Sequence, residues 1–131
     1  MSVEARDIIA KKTEHIFKDD NTKDIKVSRD CLIMIANSEG QSYYLTLSSH
    51  NNNAMEFYQR FPDQNYLLTK KKCEGLTYTS CVNLENIYKG EPLGRLVVIL
   101  PDDEYRKLIT KFIKWQEINP DELFVQVKDL I

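Results

Sequence analysis

Residues 31–48 hold two apolar runs joined by a turn signal, and this pairing constrains the fold more than any other feature of the chain. Cys31-Leu32-Ile33-Met34-Ile35-Ala36 is continuous rather than alternating, the pattern of a strand covered on both faces. Ser38-Glu39-Gly40 supplies the turn. Ser42-Tyr43-Tyr44-Leu45-Thr46-Leu47-Ser48 follows, rich in aromatic and β-branched residues that suit a pleated, half-buried surface. The two runs predict a β-hairpin, and the rest of the chain has to be arranged around it.

Further strands are predicted at 66–71 and 77–82, separated by a loop containing Gly75, and at 95–100 after a turn marked by Gly90 and Pro92. Residues 3–17 place Ala5, Ile8, Ile9 and Ile16 at roughly helical spacing, with Glu4 and Asp7 early and Lys11 and Lys12 late. That arrangement suits the helix dipole and predicts an N-terminal helix, although 11–17 also fits an extended segment. A polar loop follows at 19–24. A second, at 49–53, holds three consecutive asparagines, and 54–60 reads as a helical turn stopped by Pro62.

Pro101-Asp102-Asp103-Glu104 opens a helix in which Tyr105, Leu108, Ile109, Phe112 and Ile113 make one apolar face. Asn119-Pro120 opens another, carrying Leu123, Phe124, Val127, Leu130 and Ile131. Helices grouped after a run of strands, without a repeat or linker, predict one α+β domain over 1–131. Its expected form is a small antiparallel barrel-like sheet with helices at its ends.

A chain of 131 residues buries enough surface to fold without a metal or disulfide staple. No apolar run approaches the ~20 residues of a membrane span, and the N-terminus lacks the apolar block of a signal peptide. A cytoplasmic protein with no membrane partner is expected. Cys31, Cys73 and Cys81 are odd in number and show no CxxC spacing; Cys31 and Cys81 lie in apolar stretches and predict buried thiols. No ligand spacing suits zinc, and neither a Gly-rich phosphate loop nor a GxSxG elbow is present. No metal and no cofactor are expected. The net charge of −2 excludes attraction of nucleic acid by bulk charge. Lys70-Lys71-Lys72 is nevertheless a compact basic run, open to two readings: a strand edge protected against aggregation, or a track for phosphates.

The remaining chemistry lies at the open end of the hairpin. Antiparallel pairing of 31–36 with 42–48 would bring Arg29 beside Ser48, Ser49 and His50. A guanidinium and a hydroxyl so placed bind and polarise a phosphodiester, and in RNA the substrate's own 2′-OH supplies the nucleophile. The same side chains also read as strand-flank and turn residues with no ligand.

Four stretches, in order, carry a family resemblance. Arg29 leads into the aliphatic strand 31–35; Tyr44-Leu45-Thr46-Leu47-Ser48-Ser49 ends a second strand. Thr79-Ser80-Cys81-Val82-Asn83-Leu84-Glu85-Asn86-Ile87 forms a third stretch, and Gly94-Arg95-Leu96 runs through Leu100 into Asp102-Asp103-Glu104. Over residues 27–116 the series resembles the MazF/PemK family of toxin endoribonucleases. The resemblance implies an SH3-like barrel with helices, usually a homodimer, that cuts single-stranded RNA without metal and is inhibited by a cognate antitoxin. It implies that Arg29 and Ser48 are the catalytic pair; Ser49, His50, Lys70, Lys71 and Lys72 are the candidate substrate-binding residues. The chain departs from the family pattern in four places. Its first 24 residues replace a Gly-Asp opening strand, Asp30 stands where proline follows the arginine, Ser48 replaces threonine, and 117–131 form a C-terminal helical extension. The alternative on the same scaffold is a non-catalytic binding protein that engages a protein or nucleic-acid partner.

Overall fold

The computed structural model describes residues 5–10, 16–17, 31–90 and 95–131. Two short strands, β1 (Asp7–Ala10) and β2 (Ile16–Phe17), precede the hairpin strands β3 (Cys31–Ser38) and β4 (Gln41–Ser48). After them come α1 (Ala54–Arg60), β5 (Asn65–Leu68), β6 (Ser80–Asn83), β7 (Tyr88–Gly90), β8 (Arg95–Ile99), α2 (Asp102–Ile118) and α3 (Phe124–Val127).

The hairpin forms as the apolar pattern requires. Ser38 pairs with Gln41, so the loop is two residues long, and Glu39 and Gly40 both take positive φ, 51° and 78°. Two left-handed residues in a row make the turn whose twist matches that of its strands. Side chains alternate between two buried clusters. Ile33, Ile35, Leu45 and Leu47 join the main core, while Leu32, Met34 and Tyr44 form a second cluster on the opposite face. The register slips between Met34 and Ala36. The Tyr105 hydroxyl donates to the Ile35 carbonyl at that break, at 3.1 Å, satisfying a backbone group beside a bulge.

The sheet order is β2-β7-β4-β3-β1-β8, with β6 also paired to β4 and β5 to β6. β4 therefore shares one edge between two partners. Its first half pairs with β7, Ser42 opposite Gly90, and its last residues pair with β6, Leu47 opposite Val82 and Ser48 opposite Cys81. Every described pairing is antiparallel. Among the described residues β2 and β8 are not paired to each other, so the α+β expectation holds but the sheet is open, not closed into a barrel.

The expected N-terminal helix is not formed where it can be seen. Asp7–Ala10 is a strand set between β3 and β8, with Ile8 opposite both Ile33 and Val98 and fully buried. Four residues carry too little periodicity to reveal their state, and neighbours on both sides satisfy both rows of their backbone groups. Residues 3–4 and 11–15, the loop 19–24, Arg29 with Asp30, and Pro92 lie outside the described residues.

Three further boundaries move. β5 stops at Leu68 because the Thr69 carbonyl accepts the amides of Lys72 and Cys73, which folds Lys70–Lys72 into a turn. β6 starts only at Ser80. The last helix shrinks to Phe124–Val127, since the Asp121 carboxylate is held by the amides of Leu123 and Ile87; Leu130 and Ile131 remain exposed. Cys73 and Cys81 are buried thiols, whereas Cys31 is half-buried. No helix among the described residues is long and apolar enough to cross a membrane.

α2 crosses the main core through Leu108 and Phe112, and Phe112 meets Phe124 edge-on at 5.9 Å. Its buried stripe continues at both ends with polar residues, Glu104 and Gln116. Glu104 accepts the Tyr66 hydroxyl. Gln116 donates to the Leu84 carbonyl at 2.7 Å and accepts the Asp121 amide at 2.7 Å. These bonds hold the helix at one height on the sheet. Replacing Gln116 by leucine keeps the volume but leaves those backbone groups unpaired. It is expected to cost about 1–3 kcal/mol in urea denaturation.

Burial pushes the Tyr44 hydroxyl up to about 12, and that of Tyr105 to about 12 despite the nearby charge of Arg6. The unfolded chain releases these protons near pH 10, so the native state then holds more protons than the unfolded one. Stability is expected to be intact below about pH 10 and to fall as the pH rises toward 12. Denaturant midpoints measured across that range should decline, and less steeply for Tyr44→Phe.

Candidate functional site

At its C-terminal end β4 lies in a three-strand row with β6 and β5. Ser48 is opposite Cys81, which is opposite Leu67, and Asn83 is opposite Asn65. Because side chains alternate along a strand, Thr46 and Ser48 of β4, Cys81 and Asn83 of β6 and Asn65 of β5 turn to one side. They line a pocket of about 220 Å³, completed by His50 and Phe57.

The loop after β4 roofs this pocket. His50, Asn51 and Asn52 all have positive φ, 50°, 57° and 68°, a run that only residues tolerant of the left-handed region sustain. The turn closes with the Asn53 amide on the His50 carbonyl and starts α1. It lays the His50 ring flat on Phe57, with centroids 3.8 Å apart and planes at 17°. The His50 amide donates to Ser48 Oγ at 3.1 Å. That contact uses an acceptor site of the hydroxyl and leaves its hydrogen available to a ligand.

The other linings are partly committed. Asn65 Nδ2 donates to the Phe61 carbonyl, and Asn83 Oδ1 accepts the amides of Glu85 and Asn86; Asn65 Oδ1 and Asn83 Nδ2 are the faces left for recognition. Cys81 is not a nucleophile. Its thiol donates to the Ala54 carbonyl at 3.2 Å, and burial pushes it up to about 11, against the pull of the Lys111 charge. Lys111 itself stands behind the wall, its Nζ 2.6 Å from the Asn65 carbonyl. Among the described residues no three His, Cys, Asp or Glu side chains converge where a metal ion would be held.

Of the residues singled out from sequence, Ser48 and His50 meet in this pocket, while Ser49 lies outside its lining. Lys70, Lys71 and Lys72 sit in the exposed turn at the other end of β5. Lys72 Nζ bonds the Leu67 carbonyl and lies over the Tyr66 ring. Arg29 falls outside the described residues, two positions before Cys31, which pairs with Leu47. Thr46, Phe57, Asn65, Cys81 and Asn83 were not anticipated. The available signal was weak: polar residues at the ends of apolar strands, and Thr46 two positions before Ser48.

The sequence matches no protein-family model and no curated protein.

The strained roof is testable. Asn52→Val puts a β-branched residue at φ 68° and is expected to cost about 1–3 kcal/mol. Asn52→Gly should be neutral or slightly stabilising. Thermal melts of the two variants, with the His50 ring resonances followed by NMR, read both effects.

Proposed function

We propose that this protein is a metal-independent endoribonuclease acting on single-stranded RNA, of the toxin type, with a cognate antitoxin as its inhibitor. One observation carries the reading. A hydroxyl with a free hydrogen, an imidazole and two amide side chains share a small polar pocket, at the end of the hairpin where Leu47 pairs with Cys31. The corrected N-terminus supports it as well. A strand beginning at Asp7 stands beside β3, and the MazF/PemK pattern likewise opens on a strand. The open sheet, forked at β4, is read as a divergent SH3-like barrel, used as a homodimer.

In this mechanism the RNA 2′-oxygen attacks the adjacent phosphorus while the bond to O5′ breaks, giving a 2′,3′-cyclic phosphate and a 5′-hydroxyl end. Arg29 stabilises the charge that builds on the non-bridging oxygens and takes part in proton transfer. The Ser48 hydroxyl donates to the phosphoryl group and orients it. The stacked His50–Phe57 pair and the free faces of Asn65 and Asn83 hold a neighbouring base.

The test is incubation of the purified chain with mixed-sequence RNA in excess chelator. Cleavage is expected with cyclic-phosphate ends, slowed by about 10²–10³ in Arg29→Ala and strongly in Ser48→Ala. RNA left equally intact by wild type and both variants defeats the proposal. The outcome would then favour the non-catalytic binding reading, for which β8 is the supporting observation. Leu96 and Ile99 are 41% and 50% exposed on that end strand.

A further inference from the structure

The outer face of α2 carries a row of cations. Arg106, Lys107, Thr110, Lys111 and Lys114 line a shallow groove of about 310 Å³. Positions 107, 111 and 114 follow one another at i, i+4 and i+7, which stacks them along one side of the helix. The row follows β5. At one end of that strand Lys111 Nζ bonds the Asn65 carbonyl. At its next residue the Tyr66 hydroxyl bonds Glu104, whose carboxylate is 3.7 Å from Lys107 Nζ. On the same Tyr66, Lys72 Nζ stands 5.2 Å from the ring centroid. The basic turn 70–72 thus joins the α2 row at one end, and Asn65, a wall of the pocket, adjoins it at the other.

Carboxylates temper part of this row, since Asp102 holds Arg106 at 2.8 Å and Glu104 neighbours Lys107. Lys70, Lys71 and Lys114 make no ion pair among the described residues. On a chain whose net charge is −2, the concentration of lysines on one face is a local property. An aromatic ring interleaves with it: Lys111 Nζ lies 4.9 Å from the centroid of half-buried Tyr58. Cations beside an aromatic face suit a nucleic-acid strand, whose backbone is anionic and whose bases stack.

We infer that this row binds the phosphate backbone of single-stranded RNA outside the pocket, so that a strand seated at Ser48 and His50 continues past Asn65 over α2 toward Lys70–Lys72. The inference rests on the reading of the pocket as an RNA site. Lys111 secures the pocket wall, and the contacts that steer the strand are Lys107, Lys114 and the 70–72 turn.

The probe is a labelled 2′-O-methyl oligouridine, which cannot be cut through its 2′ position, bound to the full chain over a salt titration and followed by anisotropy. Lys107→Gln combined with Lys114→Gln is expected to weaken binding about tenfold near 0.1 M salt and to reduce the slope of log affinity against log salt by about 0.7 per lysine. Turnover of a very short RNA should be unchanged, while KM for a long one rises. An unchanged slope overturns the inference. So does a double variant that keeps the oligonucleotide but loses an acidic polyglutamate peptide, which assigns the row to a protein partner. Failure of the pocket reading looks different: the oligonucleotide binds with its full salt slope, yet wild type and Ser48→Ala leave ordinary RNA equally intact.

Discussion

Leu32, Met34 and Tyr44 turn to one side of the central hairpin and Ile33, Ile35, Leu45 and Leu47 to the other, and each is at most 3% exposed. Burying side chains of this size contributes roughly 1.5–3 kcal/mol apiece, and every other element is fastened to what they cover. β1 pairs along β3, β6 and β7 divide the far edge of β4, and Leu108 and Phe112 of α2 close the main core. A slip of one residue between β3 and β4 would exchange their two faces. The two-residue turn at Glu39-Gly40 and the bulge at Ile35 prevent this by setting the register at two points.

Few polar side chains enter this interior, and two of them, Glu104 and Gln116, are tied to the sheet side by hydrogen bonds. Glu104 and Gln116 fix the height of α2, and Tyr105 reaches the hairpin bulge from its first turn. The position of α2 in turn sets Lys111 behind Asn65. At the pocket hydrogen-bonding capacity is left over, on Ser48, Asn65 and Asn83, and it is the same place where three successive left-handed residues hold His50 against Phe57. Local strain beside unspent polar groups is the combination that a ligand site maintains at some expense to stability.

The site was legible in part. Ser48 and His50 stand out because they end a strongly patterned strand, and pairing across a short turn is a local matter. Thr46, Asn65 and Asn83 were not legible: a polar residue at the end of an apolar strand looks the same whether it faces solvent or a pocket. In the sequence Lys111 is no different from Lys107 and Lys114 of the same helix; only the fold puts its ammonium on the Asn65 carbonyl. The run Lys70–Lys72 was readable as basic, but its tie to Tyr66 and to the α2 row depends on where a helix more than thirty residues further along the chain comes to lie.

The sequence by itself determined the hairpin, its turn, α1 and the apolar face of α2, because each rests on periodicity or turn chemistry within a dozen or so residues. The tertiary structure alone decided that Asp7–Ala10 is a strand, since its state comes from two neighbours far along the chain rather than from its own spacing. It alone decided that the sheet stays open, that the last helix stops after Val127, and that amides from β5 and β6 join Ser48. Such outcomes depend on which distant backbone groups and carboxylates are left to be satisfied once the core has formed, and no local pattern of residues records that.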